Sequence, residues 1–381
     1  MSVFQNNLMG AAAAAASAGG DGYDLFVWGK GQNGALGLGN TTDYCSPVQL
    51  GSSEWASADC QGDKHWMTAI KSDGTLWSWG DGNFGVLGQG NTTDYSSPVQ
   101  IGSSTTWSSV NAMESTQCAT NEAGELWSVG QNTGGEMGDG TNTAKSSLVQ
   151  IGSLTDWPTT VFDRGGSKSM MMIKPDGTWW DWGNNGSGRL GDGTTTVRSS
   201  PVQIGSLTTW VQGAQGIDNA GAIKNDGTLW TCGNNYYGAL GNGASGGGQN
   251  KSSPIQVAGT TWRQVDGSNQ FMAAVRTDNT LWTWGLGQWG KTGHGNTTNY
   301  SSPVQVGSLT DWKSISLSTV SALAIKTDGT LWSWGRDRFG SLGQGTYHVN
   351  KSSPVQIGSE TDWLGARISY YRAIAWRGTA E

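Results

Sequence analysis

Across 381 residues the chain carries 22 Lys and Arg against 29 Asp and Glu, a net charge of -7, which argues against nucleic acid or an anionic membrane as its main partner because both attract basic surfaces. Charged residues make up only 13% and prolines number 8, yet 61 residues are glycine and 22 are tryptophan; this is a chain of frequent tight turns around an aromatic core, not a disordered linker. No run reaches the ~18 apolar residues of a membrane span. The cysteines (Cys45, Cys60, Cys118, Cys232) and histidines (His65, His294, His348) show neither CxxC nor HExxH spacing, so free thiols are expected, with no metal or cofactor.

Residues 1–20, MSVFQNNLMGAAAAAASAGG, precede the first repeat. Val3, Phe4, Leu8 and Met9 are the larger apolar residues of a segment too short to build a core, so they are expected to be buried against another chain as a docking arm. The Ala11–Ala16 run favours helix and Gly19-Gly20 supplies a joint, whereas the basic start of a secretory signal is missing.

From residue 21 to 381 one repeat dominates. Trp-Gly recurs at Trp28, Trp79, Trp182, Trp284 and Trp334, with Val129-Gly130 and Cys232-Gly233 holding the same beat, and a second tryptophan recurs at Trp55, Trp107, Trp157, Trp210, Trp262, Trp312 and Trp363. The period is about 51 residues. Within one unit, WASAD, HWMTAIK, TLWSWG and PVQIG are four short strand-forming runs separated by Gly, Asp, Asn and Ser clusters, so each unit reads as a four-stranded sheet. Asp73, Asp176, Asp226 and Asp328, in the triplets before the third strand, read as turn residues. DGYDLFVWG at residues 21–29 is a third strand lacking its predecessors, and ISYYRAIAWR at 368–377 is a second strand lacking a successor. The expectation is an all-β, seven-bladed β-propeller of four-stranded blades, closed by pairing its N-terminal and C-terminal strands in one blade.

DGTLWSWG, NxxGxLGxG and SSPVQIG resemble the regulator of chromosome condensation repeat family over residues 21–378. That resemblance implies a scaffold, inhibitor or exchange factor acting through protein contact, not an enzyme. No spaced carboxylate pair of a glycosidase is visible, and the glycine loops lack the Lys-Ser/Thr ending of a phosphate cradle. Where family members usually carry Gly-x-x-His-Ser, this chain has His65, Ser115, Lys168, Asp218, Gln270, Val320 and Tyr371.

Most tryptophans fall at fixed repeat positions and read as core; Trp66 and Trp289 fall where the other repeats vary. His65, Trp66, Lys168, Asp218, Phe271, Trp289, Tyr371 and Arg372 are therefore expected to form a partner-binding face. The N-terminal segment resembles the anchors of tailed-bacteriophage virion proteins. This implies a virion structural or appendage protein on the extracellular particle, with other virion proteins and a host-surface receptor or glycan as partners. The competing expectation is a secreted bacterial propeller that binds and inhibits an enzyme.

Overall fold

The computed structural model describes residues 22–52, 54–60, 64–159 and 168–378. The expected docking residues Val3, Phe4, Leu8 and Met9 lie outside them. Almost every regular element described is a strand, and the strands form successive antiparallel sheets. The second blade shows the plan: Trp55–Asp59 pairs with Trp66–Lys71, that strand with Leu76–Gly80, and that with Tyr95–Gln100. These match the four expected runs, the last starting three residues ahead of Pro98. Strands two and three are almost wholly buried, whereas the fourth is half-exposed along its length. This outer edge is where proline is tolerated, because a missing N–H there breaks no ladder.

Blades three to seven repeat the plan, and the fourth contributes Ser169–Ile173, Trp179–Gly183 and Arg198–Gln203 among the described residues. The remaining blade closes the ring. Tyr23–Gly29 pairs residue for residue with Arg372–Gly378, from Tyr23 opposite Gly378 to Gly29 opposite Arg372. Trp363–Ile368 flanks one side of this pair and Tyr44–Gln49 the other. Numbering this shared blade as the first, blades two to seven follow in chain order.

Each Trp-Gly tryptophan fastens its blade to the one before. The indole N–H of Trp28 donates to the Ser341 carbonyl at 3.0 Å, and Trp79, Trp182, Trp284 and Trp334 donate to the equivalent carbonyls of Ala35, Glu136, Ala239 and Lys291 at 2.8–3.1 Å. Cys232, standing in for one of them, places its thiol 3.4 Å from the Arg189 carbonyl. The close approach requires glycine: at Gly343, with φ +70°, a Cβ would sit 2.7 Å from the Trp28 indole nitrogen.

The turn before the third strand is built as expected. One carboxylate oxygen of Asp73 accepts from the Thr75 N–H and hydroxyl, and Thr75 Oγ1 accepts from the Trp77 indole at 2.7 Å. Asp176, Asp226, Asp278 and Asp328 repeat the arrangement. A cation at the end of the second strand (Lys71, Lys224, Arg276 or Lys326) or just after it (Lys174) stacks 4.0–4.4 Å from the third-strand tryptophan above the turn. The four cysteines are free.

Candidate functional site

Because the start of each second strand pairs with the end of the third, as Trp66 does with Gly80, two sets of loops open on one end of the ring: those between strands one and two, and those between strands three and four. All eight partner-binding candidates lie at this end.

Their exposure divides them. Trp66, Phe271 and Arg372 are fully buried, which corrects the expectation that they face a partner. Trp66 packs against Val86, Leu87 and Ala112 and donates its indole N–H to the Glu114 carbonyl of the next blade at 3.1 Å. Phe271 sits in the core with the buried Lys291 ammonium 4.7 Å from its ring centre. Asp218 is half-buried in an ion pair with Arg189 at 2.7 Å, and Lys168 is exposed in a different blade from the rest. His65, Tyr371 and Trp289 remain partly open at the surface.

The structure brings His65, Tyr371 and Arg372 together at the closure seam. Arg372 Nη1 lies 3.1 Å from His65 Nδ1, and the His65 and Tyr371 rings are 5.5 Å apart. Burial first, then the charges of Arg372, Lys30 and Lys64, pull the His65 pKa down to about 3. The imidazole is therefore neutral at physiological pH, and its Nδ1 accepts from the guanidinium.

Residues that the sequence reading missed complete the cluster. Phe339 lies 5.5 Å from Tyr371, with Lys30 Nζ 4.5 Å from the Phe339 ring centre and 5.0 Å from that of Tyr371. The Tyr370 hydroxyl receives Arg338 Nη1 at 3.2 Å and Arg336 Nη1 at 3.5 Å. Arg336 in turn stacks on Trp289, 4.4 Å from the ring centre. Among the described residues, no carboxylate lies within ion-pair distance of Lys30, Arg336 or Arg338. Burial, with the Arg372 and Arg338 charges, lowers the Lys30 pKa against the pull of Asp43.

One sequence signal could have found part of this. The repeat position of Trp289 holds Asn33, Phe84, Gly134, Ser187, Tyr237 and Phe339 in the other blades, so four of the seven are aromatic. In the structure Phe84, Trp289 and Phe339 occupy the left-handed region, with φ of 60°, 61° and 57°. That conformation costs a non-glycine residue about 1–2 kcal/mol. Holding bulky aromatics there is the kind of local strain that accompanies functional sites.

Successive antiparallel blades in a ring closed by the N- and C-terminal strands define a seven-bladed β-propeller. The chain belongs to the RCC1-like domain family, which it matches over residues 24–373. It is 29% identical over 294 residues to the ultraviolet-B receptor UVR8 of Arabidopsis thaliana, covering 73% of this chain and 64% of the receptor. It is 28% identical over 188 residues to the human E3 ubiquitin-protein ligase HERC2, covering 48% of this chain and 4% of the ligase. The chain thus spans less than two thirds of these relatives. Among solved structures, Prp20p of Saccharomyces cerevisiae, described with its binding to Gsp1p and histones, superposes with a TM-score of 0.83 at 17% identity, covering 95% of this chain and 93% of that one. Human WBSCR16 superposes at 0.82 and 18% identity, covering 94% of this chain and all of the other. At these identities the likeness is one of fold. No helix among the described residues is long and apolar enough to cross a membrane.

Proposed function

We propose that the chain is a non-enzymatic recognition module whose loop face binds an acidic protein surface, and that it works as a structural or appendage protein of a tailed-bacteriophage virion, attached through residues 1–20. The observation that carries the recognition reading is the seam cluster: on a chain of net charge -7, Lys30, Arg336 and Arg338 are held against aromatic rings without carboxylate partners among the described residues. Cations fixed in this way lose little side-chain freedom on binding, and Arg and aromatic residues are the types that anchor protein interfaces. Recognition by partner proteins is also described for the yeast relative of this fold.

The virion reading rests on the N-terminal segment, whose four larger apolar residues would each contribute about 1.5–3 kcal/mol if buried against another subunit. Deleting residues 2–18 should leave a folded propeller that no longer co-purifies with the particle. Normal incorporation of the truncated chain overturns docking through this segment. The variant Lys30→Glu/Arg338→Glu should incorporate normally yet lose the partner bound by the outward face, and retention of that partner overturns the seam assignment.

A further inference from the structure

Beside the seam, where the loops of blades five, six and seven meet, lies an open groove of about 710 Å³, within the range of small-molecule sites. Tyr237 and Trp289 supply its aromatic surfaces, and Gln288, Thr297, Asn299 and Asn350 are among its polar lining residues. Arg336 stacked on Trp289 holds the indole in place.

The two asparagines are oriented by the backbone. Asn299 Oδ1 accepts from the Gly287 N–H at 2.9 Å, and Asn350 Oδ1 accepts from the Asp337 N–H at 3.0 Å. With each oxygen tied down in this way, the side-chain NH₂ group is the free end, a donor of two hydrogen bonds. In the first and second blades the same cap is made by Asp43 and Asp94, accepting from Gly31 and Gly82. Either residue type caps the loop; around this groove the type that also donates is present, and no carboxylate is among the lining residues.

We propose that this groove is a carbohydrate site that takes a hexopyranose unit of an uncharged glycan. A pyranose combines an apolar C–H face, which packs on indole and phenol rings, with a girdle of hydroxyl oxygens that accept from fixed amide donors and donate to the Gln288 and Thr297 oxygens. A purely apolar ligand would leave the amides unpaired, which costs binding energy. A carboxylate-free lining favours a ligand whose polar atoms include many acceptors. The assignment rests on the loop face being a recognition surface, but it is independent of Lys30, Arg338 and residues 1–20.

The test uses the full chain on an array of immobilised uncharged hexose and N-acetylhexosamine oligosaccharides, followed by titration with the same sugars free in solution. The native chain should bind at least one of them. Trp289→Gly removes the ring at a backbone angle that glycine adopts freely, so the fold is kept, as circular dichroism and melting will verify, and affinity should fall at least tenfold. Asn350→Asp keeps the loop cap but replaces a donor by a carboxylate and should weaken binding several-fold. Lys30→Glu/Arg338→Glu should leave sugar affinity unchanged even where it abolishes partner binding, which separates failure of this site from failure of the seam. Competition by a free monosaccharide would point to a soluble sugar, whereas binding only to longer immobilised chains would point to a surface glycan. Absence of binding to every saccharide on the array, or equal affinity of the Trp289→Gly variant, overturns the proposal.

Discussion

Ring closure depends on one strand from the N-terminal end, so its loss should be felt around the whole ring. Leu25, Phe26, Val27 and Trp28 are all buried in Tyr23–Gly29; at about 1.5–3 kcal/mol per side chain their burial amounts to roughly 6–12 kcal/mol. That range is comparable with the entire stability of a typical domain, about 5–15 kcal/mol. Deleting residues 1–29 also exposes both edges that the strand covers, Arg372–Gly378 and Tyr44–Gln49, and breaks the Trp28 bond to Ser341 in blade seven. The truncated chain is expected to be unfolded or aggregated at 25 °C, by circular dichroism and gel filtration. A milder perturbation, Trp28→Ala, should cost about 3–5 kcal/mol and lower the denaturant midpoint in a single cooperative transition. A truncated chain that melts at the native temperature would refute closure by this strand, and a biphasic Trp28→Ala transition would refute ring-wide coupling.

Two further outcomes concern buried and capping charges. Burial lowers the Lys291 pKa from 10.5 to about 7. Below pH 7 both folded and unfolded states hold the proton and the fold carries the cost of the buried charge; between pH 7 and 10.5 the folded state has released a proton that the unfolded state retains, so stability rises with pH. Lys291→Met should remove that rise, a difference on the order of a few kcal/mol between urea melts at pH 6.5 and 10, and parallel pH profiles for the two proteins would contradict it. Asp328→Ala removes the acceptor of the Thr330 N–H and hydroxyl and should cost about 1 kcal/mol in chemical denaturation; an unchanged midpoint would show that the turn holds without its cap.

The fold was legible because the residues that build it repeat. The tryptophans of the first and third strands, the Asp-Gly-Thr turns and the unmatched end strands all serve the same geometric task in every blade, so their periodicity carried blade number and closure together. The site was less legible, and the error at Trp66, Phe271 and Arg372 shows why. Divergence among equivalent positions reads as freedom from the core, yet these side chains are buried against partners that vary with them: Val86 beside Trp66, the Lys291 ammonium over Phe271 and the His65 imidazole on Arg372. Interior volume is filled at each blade interface separately, so a large residue in one blade requires a different neighbour, not an exposed surface. Lys30 meets Phe339 and Tyr371 across the seam, more than 300 positions away, and Arg336 and Arg338 meet Tyr370 and Trp289 from neighbouring blades; no local sequence pattern links such residues.

The loop position shared by Trp289 and Phe339 supplies an internal comparison that a non-repetitive protein lacks. The same left-handed position is held by Asn33 in blade one, with φ of 57°, and asparagine enters that region at little cost. Folding alone therefore does not require an aromatic there. Yet Phe84, Trp289 and Phe339 all accept that conformation, and Tyr237 and Tyr371 extend the row through neighbouring blades, whereas blades three and four present Gly134 and Ser187. A scaffold with near-sevenfold geometry thus carries its aromatic and cationic chemistry on the arc from blade five through the seam to blade two. On the reading proposed here a partner docks across the closure strands, and because the ring unfolds as one unit, binding there stabilises the whole fold in proportion to the logarithm of partner concentration over its Kd.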